Sequence, residues 1–272
     1  MPFKISIAEY SLHRMIEAGD LDPRDFGPFC KEKFGVDAVE YWMGPYADKG
    51  SDLAYLGEMH KKTVDAGVKG LLIMCDIAGG DLGTPDATNR KIVVEKHYEW
   101  VEAAKRMDCH SIRVNARSEG SREEQAKLAA DGLRNLSEFA APRGINVIVE
   151  NHGGFSSDGA WLAGVIKSVG LPNCGTLPDF GNFRIDENNV YDKYQGVAEL
   201  MPYAKAVSAK SHVFDAAGNE AEIDYLKMMK IVLDAGYHGY VGVEWEGSVP
   251  ESEVEGTLLT KRLLEKVRAQ LA

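Results

Sequence analysis

The stretch INVIVENH, residues 145–152, is a short apolar run that ends in charged and polar side chains. Its length and its β-branched residues are typical of a buried strand rather than of a helix. The preceding segment, residues 121–144, opens with a capping box formed by Ser121 and Glu124 and ends in Pro-Arg-Gly, so it is predicted to be a helix. A strand therefore follows a helix directly in the middle of the chain.

The same alternation extends over the whole sequence. Helices are also predicted at residues 52–67 and 224–236, each ending at a glycine, and at 251–271. Alternating strands and helices imply parallel strand pairing, because a parallel crossover needs a connecting helix. Eight apolar, β-branched runs take part, at residues 4–11, 37–42, 68–76, 110–116, 145–152, 174–180, 206–215 and 240–247.

Eight strand–helix units of about 30 residues fill a chain of 272 residues. This predicts an α/β protein that forms a single (β/α)8 TIM barrel, with residues 1–272 as one domain. A doubly wound open sheet is the alternative, but that fold favours a glycine-rich turn after its first strand. The turn after residue 11 has no such glycines, and no linker or low-complexity tract divides the chain.

Composition and charge restrict the classes of partner. Hydrophobic residues make up 44% and charged residues 27% of the chain, as in ordinary soluble proteins. The formal net charge of −11 disfavours nucleic-acid binding, because phosphate recognition needs Lys and Arg in excess. No apolar stretch approaches the roughly 18 residues of a membrane span, so we expect no nucleic-acid and no membrane partner.

The cysteines and the N-terminus indicate a compartment. Cys30, Cys75, Cys109 and Cys174 are scattered and include no C-x-x-C pair, which favours free thiols in a reducing environment. The first residues, MPFKISIAEYSLHR, lack a long apolar region and a cleavage site, so no signal peptide is expected. These features predict a cytoplasmic protein. The sequence is compatible with a monomer and with a homo-oligomer.

Polar side chains accumulate where the last four predicted strands end. The active site of a TIM barrel lies at the carboxyl ends of its strands, and side chains i and i+2 share a face. Buried carboxylates require a cation or a shared proton. Any one of these residues alone has an ordinary explanation, such as capping a helix, but their joint placement predicts a metal site. Four successive strands supply Glu150, Asp179, His212 and Glu244.

Such a set of three carboxylates and one imidazole suits one divalent metal, Mn²⁺, Mg²⁺ or Co²⁺, with Zn²⁺ as an alternative. Glu246 shares a face with Glu244 and is the alternative ligand on the eighth strand. Two roles stay open for Arg113 and Asn115. They could hold groups of the substrate, or they could form a buried ionic network. Tyr10 and Asp76 are further inward positions. The candidate substrate contacts are Glu40, Arg113, Asn115, His152, Asn182, Lys210 and Glu246.

At these residues the sequence resembles the xylose-isomerase-like TIM-barrel superfamily of sugar phosphate isomerases and epimerases. The matching segments are VIVENH (147–152), PDFGN (178–182), HVFD (212–215) and GYHGYVGVEW (236–245). The segment DAVEY (37–41) is similar to the second strand of the family. The superfamily also includes inosose dehydratase, dehydroshikimate dehydratase and endonuclease IV.

The resemblance implies that Glu150, Asp179, His212 and Glu244 are the four metal ligands. It also implies that Glu150 and Glu244 are catalytic and move protons at a carbon next to a carbonyl. The function implied is a metal-dependent isomerase or epimerase of a sugar or polyol-like substrate in carbohydrate metabolism, working through an enediolate. Asn182 departs from the family pattern, which often has a substrate-contacting His there, and an amide carries no proton at neutral pH.

Three other functions are compatible with the same barrel. A dehydratase of the inosose or dehydroshikimate type also begins with proton abstraction next to a carbonyl, but its product has lost one water. An enzyme similar to endonuclease IV needs three metals and many histidines, whereas this chain has seven His and a net charge of −11. A non-catalytic sugar-binding barrel would tolerate loss of the ligands, yet all four predicted positions are filled.

Overall fold

The computed structural model describes residues 1–76 and 80–272. Every strand pairing in this part of the chain is parallel, and the hydrogen-bonded order is β6-β5-β4-β3-β2-β1-β8-β7. The strands are β1 Lys4–Ala8, β2 Ala38–Trp42, β3 Lys69–Met74, β4 Ser111–Val114, β5 Asn146–Glu150, β6 Cys174–Leu177, β7 Val207–Ser211 and β8 Tyr240–Trp245.

The barrel closes between β6 and β7, which stand at the two ends of that order. Isolated parallel bridges join this edge, and one of them pairs Asp179 with Ser208. The backbone N–H of Ser208 donates to Pro178 O at 2.9 Å, and that of Phe180 donates to Ser208 O at 3.1 Å. We call this junction the β6–β7 seam. The predicted TIM barrel is confirmed.

Helices connect and surround the strands, and their starts follow the predicted signals. Asp52 caps α3 through the backbone N–H groups of Ala54 and Tyr55, and the predicted capping box of Ser121 and Glu124 begins α6. The helices within the described residues are α1 His13–Glu17, α2 Phe26–Phe34, α3 Leu53–Asp65, α4 Ala87–Lys96, α5 Tyr98–Arg106, α6 Arg122–Ala140, α7 Gly159–Val169, α8 Lys193–Leu200, α9 Tyr225–Asp234 and α10 Glu253–Gln270.

The buried face of α3 differs from the face that its apolar residues predict. The spacing in residues 52–67 suggests that Leu53 and Val64 are buried, but their exposed fractions are 63% and 51%. The buried face of α3 contains Leu56, Met59 and Thr63 instead. Leu56 and Thr63 are seven residues apart and lie on nearly the same line along the helix. Met59 lies to one side of this line, whereas Leu53 and Val64 lie together on the other side, which faces away from the core.

Alternating side chains along each strand fill two separate cores. On β5, Val147 and Val149 pack under the helices, while Ile148 and Glu150 point into the barrel. Trp245 on β8 packs outward against Gly256 of α10, as its position in the strand predicts. The barrel interior holds a small apolar cluster, with Tyr10 and Trp42 packed against it, formed by Ala8, Leu72, Met74, Ile148, Leu177 and Ala206.

The four cysteines are free, as predicted, and all four are buried. Burial raises the pKa of the Cys174 thiol to about 11, so that thiol stays protonated and packs as a small hydrophobe. Within the described ranges, no helix has both the length and the apolar character that a membrane crossing requires.

Candidate functional site

Three buried carboxylates meet in the mouth of the barrel. Glu150 is the last residue of β5, Asp179 lies two residues after β6, and Glu244 is in β8. One oxygen atom from each of them lies within 4.8 Å of the other two. We call these three residues the acidic cluster. Strand alternation brings them together, because each occupies an inward position near the carboxyl end of its strand.

Ser208 of β7 joins two members of the acidic cluster. Its Oγ is 2.7 Å from Asp179 Oδ2 and 2.7 Å from Glu244 Oε2. A hydroxyl has one proton, so it donates to one carboxylate, and the other carboxylate needs a proton or a cation of its own. Asp179 Oδ1 accepts the backbone N–H groups of Gly181 and Asn182, both at 2.8 Å, which fixes its carboxylate plane.

Glu150 lies between an amide and a guanidinium. Asn182 Nδ2 donates to Glu150 Oε1 at 2.8 Å. Arg113 Nε is 3.0 Å from Glu150 Oε2. The two atoms are not aligned for a hydrogen bond, so neither of these buried atoms has a hydrogen-bond partner. Asp76 Oδ1 accepts from Arg113 Nη1 at 2.6 Å and from Asn115 Nδ2 at 2.9 Å. A buried ionic network around Arg113 therefore exists, and contact of Arg113 and Asn115 with substrate stays a prediction.

Lys210 of β7 brings an ammonium to the edge of the acidic cluster. Its Nζ is 2.9 Å from Glu246 Oε1 and 3.8 Å from Glu244 Oε1, and only 1% of its side chain is exposed. The aliphatic stem passes Gly181, where a Cβ would lie 3.2 Å from the Lys210 Cγ. Glu246 is thus the hydrogen-bond partner of Lys210, and Glu244 is the eighth-strand member of the acidic cluster.

Burial and neighbouring charges set the pKa values in the acidic cluster. Burial raises the pKa of Glu150 and that of Asp179 to about 7, although nearby cations oppose the shift. Burial acts on Glu244 too, but the Lys210 ammonium brings the pKa of Glu244 below its ordinary value. Burial opposes charge on Lys210, and the surrounding carboxylates, Glu244 foremost, nevertheless raise its pKa well above the ordinary value.

The structure does not bring His212 into the acidic cluster. Strand β7 ends at Ser211, and the backbone N–H groups of His212 and Val213 donate to Glu220 Oε1 at 3.3 and 3.4 Å. Position 212 has the inward alternation, but the strand ends one residue before it. Among the described residues, the group of potential ligand atoms within 4.8 Å consists of the acidic cluster alone.

Two other candidate contacts lie at different depths of the barrel. His152 is at the rim, where Arg117 Nη2 is 3.2 Å from its Nδ1. Burial, assisted by nearby cations, lowers the pKa of His152 to about 4, so its ring is neutral at pH 7. Glu40 is inside the barrel, accepts a hydrogen bond from Ser6 Oγ at 2.6 Å, and has its pKa raised by burial to about 7.

The rim beside His152 opens into a cavity of about 300 Å³. Arg117 lines this cavity and was not identified from the sequence, and neither was Ser208. The available signal for Ser208 was its position two residues before Lys210, which places both on one strand face. Other residues that line the cavity include Asp81, Gln125, Gly153, Phe155 and Ser156.

The acidic cluster fits a hard divalent cation. Three carboxylate oxygens gathered within 4.8 Å form the oxygen-rich set that such ions prefer. Glu150 Oε2 is also a buried acceptor with no aligned donor, and a cation would satisfy it. Two protein cations, Arg113 and Lys210, already lie beside the same carboxylates, so an entering ion meets positive neighbours.

The fold and the site together define a (β/α)8-barrel protein with a buried acidic site at the carboxyl ends of its strands. Residues 31–268 match the family model described as xylose isomerase-like TIM barrel. The chain therefore belongs to the xylose isomerase-like TIM-barrel family. Comparison with curated proteins gives no match.

Several solved structures have the same fold along nearly the whole chain. D-psicose 3-epimerase with D-tagatose from Clostridium cellulolyticum H10 is 13% identical, with a TM-score of 0.72 over 98% of this chain and 99% of that one. The IOLI protein with a zinc atom is 15% identical, with a TM-score of 0.72 and coverages of 98% and 99%. A xylose isomerase-like TIM barrel protein from Mycobacterium smegmatis in complex with magnesium is 17% identical, with a TM-score of 0.69 and coverages of 99% and 98%. Identities this low establish the fold only.

Proposed function

We propose that this protein is an isomerase or epimerase of a sugar or sugar-like substrate. Its main support is the acidic cluster, in which Glu150 and Glu244 come from strands separated by two others yet have oxygens within 4.8 Å of each other. Proton transfer at a carbon next to a carbonyl needs a carboxylate that removes the proton and an acid that returns one. The D-psicose 3-epimerase with the same fold adds support for this class of reaction.

In this proposal a divalent ion, Mn²⁺, Mg²⁺ or Co²⁺ with Zn²⁺ as the alternative, is held by the acidic cluster. When bound, it would supply positive charge that polarises the substrate carbonyl. The proposed ligands are the three carboxylates of Glu150, Asp179 and Glu244, which already lie together. His212, the fourth ligand that the resemblance implies, lies outside this group and stays a prediction.

The protein side chains then perform the proton transfers. One of Glu150 and Glu244 takes the proton from the carbon, the C–H electron pair forms a C=C bond, and the carbonyl oxygen becomes an enediolate oxygen. The other glutamate returns a proton to the opposite face. Lys210 and Arg113 lie beside these carboxylates and can orient substrate oxygens by donating hydrogen bonds. Trp42 lies on the other wall of the barrel, where it can pack against the C–H face of a sugar.

Deuterium exchange tests this function. Wild-type protein with Mn²⁺ is incubated in D2O with a panel of ketoses, aldoses, their phosphates and inososes, and the products are followed by NMR and mass spectrometry. We expect deuterium at the carbon next to the carbonyl of one substrate class. Glu244→Gln should reduce exchange by about 10²- to 10⁴-fold. The exposed Glu123→Gln is the matched control and should exchange like the wild type.

Three outcomes decide the proposal. A product of unchanged mass that carries deuterium supports an isomerase or epimerase. A product that has lost one water assigns the same proton abstraction to a dehydratase instead. Absence of exchange and turnover across the panel, or equal exchange by the Glu244→Gln variant, contradicts the proposed role of the acidic cluster.

A further inference from the structure

Strand β7 contributes a hydroxyl and an ammonium to the barrel mouth. Ser208 lies between two carboxylates of the acidic cluster, and Lys210 follows on the same face of the strand. An ammonium has three donors and no lone pair, so Lys210 cannot ligate a metal ion while it is charged. Strand β7 therefore brings positive charge to the place where an ion would bind.

The surrounding packing confines this charge to the neighbourhood of the acidic cluster and Glu246. The Lys210 side chain is 1% exposed, so its ammonium cannot turn to bulk water. Its stem runs beside Gly181, where any larger side chain would press on Cγ and Cδ. Nζ therefore stays near two carboxylates of β8, 2.9 Å from Glu246 and 3.8 Å from Glu244.

The acidic cluster is thus already partly neutralised by the protein. Arg113 Nε is 3.0 Å from one oxygen of Glu150, and Lys210 Nζ is 3.8 Å from one oxygen of Glu244. Glu150 Oε2 nevertheless lacks an aligned donor, which leaves capacity for a further cation. A divalent ion at this site would lie a few ångströms from the ammonium, where like charges repel strongly in buried surroundings.

We propose that Lys210 and a divalent ion compete for the acidic cluster, and that Glu246 holds the ammonium aside when the ion is bound. The ion is then weakly held and exchangeable, and its affinity is set by a lysine that is not a ligand. The inference rests on the ion site of the proposed function, although it does not depend on turnover of any sugar.

Manganese binding to uncharged variants tests this competition. Mn²⁺ alone is titrated into wild type, Lys210→Met and Lys210→Gln, and binding is measured by calorimetry and by the spin-resonance signal of free Mn²⁺. We expect both variants to bind Mn²⁺ about tenfold more tightly or better, because the repelling charge is removed. Lys210→Arg keeps the charge and should show no such gain. Affinity in Lys210→Met equal to or weaker than wild type would overturn the proposal.

Loss of a buried cation can also prevent folding, because it leaves carboxylates without compensation. Circular dichroism with and without Mn²⁺ therefore accompanies each titration. A Lys210→Met variant that folds only when Mn²⁺ is present supports the proposal, because the ion then replaces the ammonium. A variant that stays unfolded in both conditions shows that an ion cannot take the place of Lys210, and this overturns the proposal.

A double-mutant cycle tests the part assigned to Glu246. Glu246→Gln should weaken Mn²⁺ binding in wild type, because the released ammonium moves towards the acidic cluster. In the Lys210→Met background the same substitution should have a smaller effect, since no ammonium is left to release. Equal losses of Mn²⁺ affinity in both backgrounds would mean that Glu246 acts only as a nearby negative charge. That result would contradict its role in holding the ammonium. All these measurements use Mn²⁺ binding, so they can fail while the exchange experiment on sugars succeeds, and the reverse.

Discussion

Two buried glutamates, one after β1 and one in β8, have pKa values that shift in opposite directions. Glu9 accepts hydrogen bonds from the backbone N–H of Trp42 and from the Tyr46 hydroxyl, and burial raises its pKa to about 8. Glu244 is buried as well, but Lys210 overcomes the effect of burial and lowers its pKa. A nearby cation can therefore outweigh burial, as Lys210 does at Glu244, although burial prevails at Glu150 and Asp179.

The same contrast extends to the two walls of the barrel mouth. On the side of β1 and β2 the inward side chains nearest the mouth are aromatic, namely Tyr10 and Trp42. On the side of β4 to β8 they carry charge and include Arg113, Lys210 and the acidic cluster. A substrate with one apolar face and one face rich in oxygen, as sugars have, matches these two walls.

The strongest disruption of the charged wall should come from Arg113→Met. Arg113 is paired with Asp76 and Glu150, and removing one partner of a buried ionic network leaves charge without compensation. We expect a loss of about 3–5 kcal/mol in the free energy of unfolding, measured by urea denaturation at pH 7. Arg24→Met, which removes a pair on the surface, is the control and should change the urea midpoint little. Similar midpoints for both variants would mean that the network contributes no specific stability.

Glu9→Gln, after β1, should raise the free energy of unfolding instead of lowering it. Because the pKa of Glu9 is about 8 in the folded protein and about 4.5 ordinarily, the folded state holds a proton that the unfolded state has lost. The Glu9 carboxyl should therefore contribute a loss of stability of about 1.4 kcal/mol per pH unit as pH rises from 4.5 to 8. The variant should lack this contribution and keep only the pH dependence of the other buried carboxyls. At pH 7 the variant should be more stable by roughly 3 kcal/mol.

Urea denaturation of Glu9→Gln and wild type at several pH values checks this expectation. The exposed Glu123→Gln serves as the control, and its stability should follow that of the wild type at every pH. If the difference between Glu9→Gln and wild type is the same at pH 5 and at pH 8, Glu9 is not protonated in the folded protein.

A matched pair of serines compares hydrogen bonds on the two sides. Ser208 lies between two carboxylates of the acidic cluster, and Ser6 donates to Glu40, which is mostly protonated at pH 6. Bonds to charged groups contribute about 1.5–3 kcal/mol and neutral ones about 0.5–1.5 kcal/mol. At pH 6 we therefore expect Ser208→Ala to lower the free energy of unfolding more than Ser6→Ala does. The reverse order would indicate that the acidic cluster gains little from its hydroxyl.

The smallest effect is expected at the apolar wall. Once a substrate is known, Trp42→Leu should raise KM by about 2- to 10-fold, because stacking on an aromatic ring contributes about 0.5–1.5 kcal/mol. The value of kcat should stay nearly constant, since Trp42 takes no part in proton transfer. Steady-state kinetics separates the two parameters, and Tyr98→Leu, outside the barrel, is the control. A fall in kcat alone would place Trp42 in the chemical step.

Much of this fold was predictable from local sequence. The eight apolar runs give the eight strands, and strand alternation places Glu150, Asp179 and Glu244 inward at the correct end of the barrel. Capping signals such as Ser121 with Glu124 also fix where helices begin. Local periodicity is enough for these features, because each depends on residues that are near one another in the chain.

The remaining features depend on contacts between distant segments. His212 follows the end of β7 and lies outside the acidic cluster, whereas Asp179 follows the end of β6 and lies inside it. The apolar pattern does not distinguish these two cases, because it places strand ends only to within a few residues. Ser208 has no special chemistry in sequence, and its role arises from the register that pairs it with Asp179. The partner of Lys210 is likewise a residue 36 positions away.

The β6–β7 seam gives ligand binding a consequence for the whole fold. Asp179 lies on the β6 side of the seam and Ser208 on the β7 side. Few backbone hydrogen bonds join the described parts of β6 and β7. A ligand held by the acidic cluster would contact residues on both sides of the seam. Its binding should therefore stabilise the pairing of β6 with β7. Binding at the site should then slow amide hydrogen exchange at Phe180 and Ser208, whose N–H groups cross the seam. Saturation of the site should therefore also raise the free energy of unfolding.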